Sequence, residues 1–151
     1  MDRLKFVPPA RQKIYDITED SLGMPKSVLL LEDEVEFAQL VKEYLESYNY
    51  SVTIAPDGVQ GMKRVLEQDF DVILCDLLMP NLPGDMFYIG VERVKPLLAK
   101  RFIFITGHQS NPKVSEFIKK TRALTLFKPF DMHLLVETIL VAIKNSRKKS
   151  P

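Results

Sequence analysis

The chain has 151 residues, of which 46% are hydrophobic and 27% charged, the balance of one globular domain with a real core. A formal net charge of +1 gives no footing for direct nucleic-acid binding or for electrostatic hold on a membrane surface. No apolar run approaches the ~20 residues needed to cross a bilayer, and the single cysteine, Cys75, excludes an intrachain disulfide and points to a reducing, cytoplasmic setting.

Residues 1–25 carry a Pro-Pro pair, mixed charge and no sustained alternation, and are expected to form an N-terminal arm in which Arg11–Asp16 can make a short helix. From Lys26 a regular rhythm sets in. SVLLLE (27–32) reads as a strand. In the following stretch Phe37, Leu40, Val41, Tyr44, Leu45 and Tyr48 recur at helical spacing. SVTIA (51–55) is a second strand, and Asp57-Gly58 opens a helix through Met62, Val65 and Leu66. DVILC (71–75) is the third strand, followed by a loop with Pro80, Pro83 and Gly84 and a helix over about 86–98 that Pro96 ends early or kinks. FIFIT (102–106) is the fourth strand, and Asn111-Pro112 starts a helix carrying Val114, Phe117 and Ile118. LTLF (124–127) is the fifth, and the last helix runs from Asp131, its N-cap, to about Asn145, with Leu135, Ile139, Ala142 and Ile143 inward. The domain is expected over 26–147, with a tail over 148–151.

The pattern is β-α five times. Strands that are apolar throughout imply a parallel sheet covered on both faces by helices, and right-handed crossovers make it doubly wound. The polar residues fall at the strand ends: Glu32-Asp33 after the first, Asp76 after the third, Thr106-Gly107 after the fourth and Lys128-Pro129 after the fifth. Open parallel sheets bind ligands outside the carboxyl ends of their strands. Four strands therefore bring an acid pair, an acid, a hydroxyl and an amine to one rim. Clustered carboxylates repel and need a counter-charge. Mg²⁺ satisfies them with oxygen ligands and leaves positions for a phosphoryl oxygen. Phosphoryl transfer is mostly positioning and charge neutralisation, and a carboxylate can serve as the nucleophile.

In this arrangement the chain resembles a response-regulator receiver domain of the CheY-like superfamily, over about residues 26–146. The matching pieces are LLLEDE, APDGVQGMKRVLEQDFDVILCD, DLLMPNLPGD, FITG and FKPF, with Met79, Pro80 and Gly84 in MP-x-x-x-G spacing. The resemblance implies a flavodoxin-like (βα)5 sheet of strand order 2-1-3-4-5. It makes Asp76 the phosphorylated aspartate and places Mg²⁺ on Asp33, Asp76, the Leu78 backbone carbonyl and, through water or from outside the direct ligands, Glu32. Thr106 would bond the phosphoryl group and Lys128 would pair with it. The donor would be a phosphohistidine on a sensor histidine kinase or phosphotransfer protein. The product, carrying about −1.5 to −2 of new charge, would reshape the surface that a downstream protein partner reads. A homodimer through the fourth helix, fifth strand and fifth helix is common in the family. The resemblance makes the chain a binding switch that catalyses only its own phosphorylation and slow dephosphorylation.

Three positions depart from the family pattern. Thr125, three before Lys128, stands where an aromatic toggle is usual. Leu78 and His108, each two residues beyond a motif residue, line the entrance to the acceptor, and an apolar Leu78 cannot orient an attacking water, so slow self-dephosphorylation is expected. Two other functions compete. A receiver fold can serve as a constitutive scaffold, which Thr125 and the N-terminal arm favour. A Mg²⁺-dependent phosphohydrolase would share the strand-end aspartate, but usually has a second acid where this chain has Leu78. Taken singly, the site residues have plainer readings. Glu32-Asp33 would cap a helix, Thr106 would be an ordinary strand residue and Lys128 a solvated loop lysine. Cys75 reads as core packing, His133 as an exposed first-turn residue, and the two histidines are too scattered for zinc.

Overall fold

The structure, a computed structural model, describes residues 24–79, 81–107 and 110–148. The arm expected over 1–25 therefore lies almost wholly outside the described residues, as do Pro80, His108 and most of the tail over 148–151. Five strands, β1 (Lys26–Leu31), β2 (Tyr50–Ala55), β3 (Val72–Asp76), β4 (Phe102–Thr106) and β5 (Leu124–Phe127), form one sheet in the order β2-β1-β3-β4-β5. All four pairings are parallel, as the runs of apolar residues required. The helices are α1 (Val35–Glu46), α2 (Gly58–Glu67), α3 (Gly84–Val94), α4 (Pro96–Ala99), α5 (Pro112–Thr121) and α6 (Met132–Lys148).

Alternate strand residues point to opposite faces, and each face has its own core. Val28, Leu30, Val72, Leu74, Ile103 and Ile105 meet α1 and α6 through Val41, Leu45, Leu135 and Ile139. Leu29, Leu31, Ile73, Cys75, Phe102 and Phe104 meet α2, α3 and α5 through Val65, Phe87, Val91 and Val114. Every residue of β3 and β4 is buried, whereas the edge strands β2 and β5 keep partly exposed positions because a neighbour covers only one side.

Helix starts follow the sequence. The Asp57 carboxylate accepts from the Gln60 amide at 2.8 Å, the Asn111 side-chain Oδ1 accepts from the Lys113 amide at 2.9 Å, and the Asp131 carboxylate accepts from the His133 amide at 3.0 Å. Each satisfies an amide that the first helical turn leaves without a partner. The expected helix over 86–98 differs. It divides into α3 and α4, with Lys95 in a non-helical conformation (φ −141°, ψ 74°) and Pro96 opening the second piece. A residue before proline is driven out of the helical region, so the first helix ends early, at Val94, as expected, and Pro96 opens a second, short one. Leu40 and Leu66, expected on inner faces, are 48% and 63% exposed. Both helices bury a narrower stripe, centred on Val41 in α1 and Val65 in α2. His133 is half-buried beside Glu137, 3.9 Å away, instead of exposed. Among the described residues no helix is long and apolar enough to cross a membrane.

Candidate functional site

The strand ends converge as the parallel topology dictates. Glu32 continues the β1–β2 ladder by one residue, its amide donating to the Ala55 carbonyl at 3.1 Å. It is 2% exposed, and its carboxylate is fully engaged: Oε2 accepts from the Glu34 amide at 3.1 Å and Oε1 from Lys128 Nζ at 3.1 Å. Asp33 follows on the exposed bend before α1. Asp76 ends β3 and is 7% exposed. Its Oδ1 accepts from the Leu78 amide at 3.1 Å and its Oδ2 from Lys128 Nζ at 3.5 Å. Ligand oxygens of Glu32, Asp33 and Asp76 all lie within 4.8 Å of one another.

Lys128 reaches this cluster from the loop after β5. Its amide donates to the Thr106 carbonyl at 2.8 Å, which ties the β5 exit to the β4 exit. Thr106 itself is fully buried at the end of β4. The next residue, Gly107, leaves space: a Cβ there would sit 3.9 Å from Lys128 Cβ. The expected residues Glu32, Asp33, Asp76 and Lys128 thus form one cluster at the sheet rim, with Thr106 on the neighbouring strand end. The Leu78 side chain is 43% exposed at its edge. Thr125 is half-buried on β5 beside Phe104, and its hydroxyl donates to the Ala123 carbonyl at 3.1 Å.

The electrostatics show strain of a specific kind. Burial pushes the Glu32 carboxyl above its ordinary value, against the Lys128 hydrogen bond, and the Asp76 charge adds to the rise. Burial likewise raises Asp76, against the Leu78 amide and Lys128. Burial would lower Lys128, but its hydrogen bond to Glu32 and the Asp76 charge more than offset this and hold it above its ordinary value. One ammonium pairs with two of the three clustered carboxylates, so acidic groups outnumber the cation within a few ångström. A hard oxygen donor set with excess negative charge suits a divalent cation of the Mg²⁺ type. Cys75 takes no part. Burial and then the Asp76 and Glu32 charges push its thiol up, and the protonated sulfur lies 3.3 Å from the Asp76 carbonyl.

The loop after β3 is braced at points that sequence reasoning did not reach. Gly84 was legible as a spacing but not as a contact. A Cβ there would lie 2.7 Å from both the Asp76 carbonyl oxygen and Leu77 Cα, so only glycine lets α3 begin against the end of β3. Asn81, at φ 69°, donates to the Asp57 carboxylate at 3.0 Å and fastens the loop to the α2 cap. Phe37 of α1 lies under Lys128, with Nζ 4.4 Å from the ring centroid. In the sequence it was one apolar residue of a helical stripe, and nothing in that stripe marked it out.

A doubly wound parallel sheet of this strand order, with an acid cluster and a lysine at its carboxyl rim, defines a flavodoxin-like α/β protein whose polar centre sits on the rim. The chain belongs to the response regulator receiver domain family, whose family model matches residues 28–140. It is 29% identical over 126 residues to the transcriptional regulatory protein RprY of Bacteroides fragilis, an alignment covering 81% of this chain and 52% of RprY. It spans between about a quarter and a half of the length of the curated relatives it matches. Among solved structures, a CheY-like receiver domain protein from Methanospirillum hungatei superposes with TM-score 0.76 at 23% identity, covering 83% of this chain and 99% of that one. Response regulator TrrA of Thermotoga maritima, in complex with Mg²⁺ and BeF, superposes with TM-score 0.69 at 21% identity, covering 78% and 98%. Receiver domains of this family are signalling switches controlled by phosphorylation, not enzymes in the ordinary sense.

Proposed function

We propose that the chain accepts a phosphoryl group on Asp76 from a phosphohistidine of a partner histidine kinase or phosphotransfer protein, and that the charge gained changes which protein partner binds. The observation that carries this reading is the placement of Lys128 Nζ between two buried carboxylates, 3.1 Å from Glu32 and 3.5 Å from Asp76, at the rim of a receiver-family sheet. Asp33, Asp76, the Leu78 carbonyl and, less directly, Glu32 would hold Mg²⁺. When bound, that ion would neutralise charge on the transferring phosphoryl group.

This chain's own residues account for the rest. The Asp76 carboxylate attacks phosphorus; the P–N bond of the donor breaks, and the imidazole nitrogen leaves with the electron pair and takes up a proton. The Leu78 amide fixes the orientation of the carboxylate by holding Oδ1. Oδ2, on the Lys128 side, is then the oxygen presented to phosphorus. Lys128 stabilises the added negative charge, and the Thr106 hydroxyl is the group on β4 that would bond a phosphoryl oxygen. The side chain at Leu78 carries no group that could activate water, so the acyl phosphate persists.

The test is incubation of the full chain with Mg²⁺ and acetyl phosphate, followed by mass measurement and mapping of the acyl phosphate. A single phosphoryl adduct on Asp76, absent from Asp76→Asn, is the expected result. No mass gain and no spectral response to beryllofluoride would instead favour a constitutive scaffold, the reading that Thr125 at the toggle position supports. Turnover of a phosphomonoester that is lost in Asp76→Asn would favour a phosphohydrolase.

A further inference from the structure

Lys128 is held from a third side. Its ammonium lies 4.4 Å from the centroid of the Phe37 ring, on the first turn of α1, in addition to its bonds with Glu32 and Asp76. Phe37 is itself steadied by Phe130, whose ring meets it edge-on at 6.1 Å and 86°. Phe130 stands two residues past Lys128, so the loop that delivers the ammonium also delivers the ring that orients its aromatic seat. An aromatic face attracts a cation through its quadrupole, more strongly where water is partly excluded. The Lys128 side chain is 22% exposed and its stem is flexible, so without a seat the ammonium can move toward water.

We infer that Phe37 is a positioning residue for Lys128, its ring face holding the ammonium in the gap between Glu32 and Asp76, ready to meet a phosphoryl group on Asp76. The inference rests on the proposed role of Asp76 for its functional consequence but not for its structural one. The ring works through the lysine and touches no reacting atom. A leucine there would fill similar space and keep the α1 core, yet give the cation nothing to face.

The experiment uses the full chain with ¹³C-labelled lysine in three forms: wild type, Phe37→Leu, and pentafluorophenylalanine at position 37. The last keeps the ring and its packing but removes the negative face. The first readout is the Lys128 ε-methylene proton shift in protein free of metal and phosphodonor, assigned by its loss in Lys128→Arg. The wild type should show an upfield ring-current displacement that Phe37→Leu abolishes. The second readout is the rate of Asp76 labelling by acetyl phosphate with Mg²⁺. Both altered forms should label about fivefold more slowly, the factor expected of one partly desolvated cation–π contact.

An undisplaced ε-methylene in the wild type overturns the inference, because the ammonium then does not sit over the ring. Labelling of the pentafluoro form at the wild-type rate also overturns it, because packing alone would then suffice. If the wild type is not labelled at all, the proposed function fails, and the metal-free shift still decides where Lys128 sits.

Discussion

Replacing Gly84 by alanine tests how tightly the loop after β3 is built. The added Cβ would meet the Asp76 carbonyl oxygen and Leu77 Cα, each at 2.7 Å, and the Leu77 carbonyl oxygen at 3.1 Å. Ordinary contact begins near 3.4 Å, so a gap of about 0.7 Å has to be opened against the main chain, which cannot rotate away as a side chain would. The Gly84 amide also donates to the Leu77 carbonyl at 2.9 Å, and a displaced α3 would stretch that bond. Overpacking of this kind costs about 1–3 kcal/mol, or roughly 4–12 °C in melting temperature for a domain of this size. The displacement falls on the carbonyl of Asp76 itself, so the proposed labelling of Asp76 should slow by about tenfold or more at a temperature where the variant is folded. Thermal melts followed by circular dichroism, with acetyl phosphate labelling at 20 °C or so below the midpoint, measure both effects. Gly107→Ala is the matched control, since among the described residues beyond its chain neighbours its Cβ would come no closer than 3.9 Å, to Lys128 Cβ, and its stability should stay within about 0.5 kcal/mol of wild type. A Gly84→Ala protein that melts and labels like the wild type would refute the claim that close approach to Asp76 requires glycine there.

Other perturbations reach the site from different directions. Lys128→Met leaves Glu32 and Asp76 facing each other without a cation; because Lys128 is 22% exposed and partly screened, the loss should be about 1–3 kcal/mol, less than for a fully buried pair, and Asp76→Asn in the same chain should recover part of it in urea titrations. Leu78→Asp would place a water-orienting carboxylate beside Asp76 and should shorten the lifetime of the proposed acyl phosphate several-fold, read as phosphate release after removal of donor; an unchanged lifetime would mean that this edge does not gate water. The Asp57 carboxyl is held below its ordinary value, first by the Gln60 amide and then, against a small opposing effect of burial, by Asn81. Its contribution to stability is therefore present above its unfolded value and lost as pH falls through the lowered one, so acidification below about pH 4 should destabilise the wild type relative to Asp57→Asn, which caps without titrating. Parallel melting curves for the two proteins across that range would argue against the capping carboxylate.

The sheet was legible because its signal is redundant. Each strand is a short, mostly apolar run, the runs are separated by helix-length segments, and their order is limited by crossover handedness; β4 and β5 fall where FIFIT and LTLF stand. The site was legible because parallel strands share one carboxyl end, so the residue after each run belongs to the rim. What the sequence hid depends on three-dimensional approach. Phe37 has the same spacing as Val41 and Leu45, and only the return of the β5–α6 loop, some ninety residues later, makes its ring a seat for Lys128. Asn81 and Asp57 belong to different loops and look like unrelated turn and cap residues until the fold joins them. Pro96 was visible, but whether a proline ends a helix or begins the next depends on where the chain must go, and here α4 is needed to bury Leu98 and Ala99 beneath the sheet.

β3 pairs with β1 along one edge and β4 along the other, and both of its faces are packed. Asp76 therefore stands at the end of a strand enclosed on both edges and both faces. In the proposed reaction, a gain of charge at its tip would meet a strand held on every side, so any adjustment would fall on the peripheral loops, with the central strand as a fulcrum.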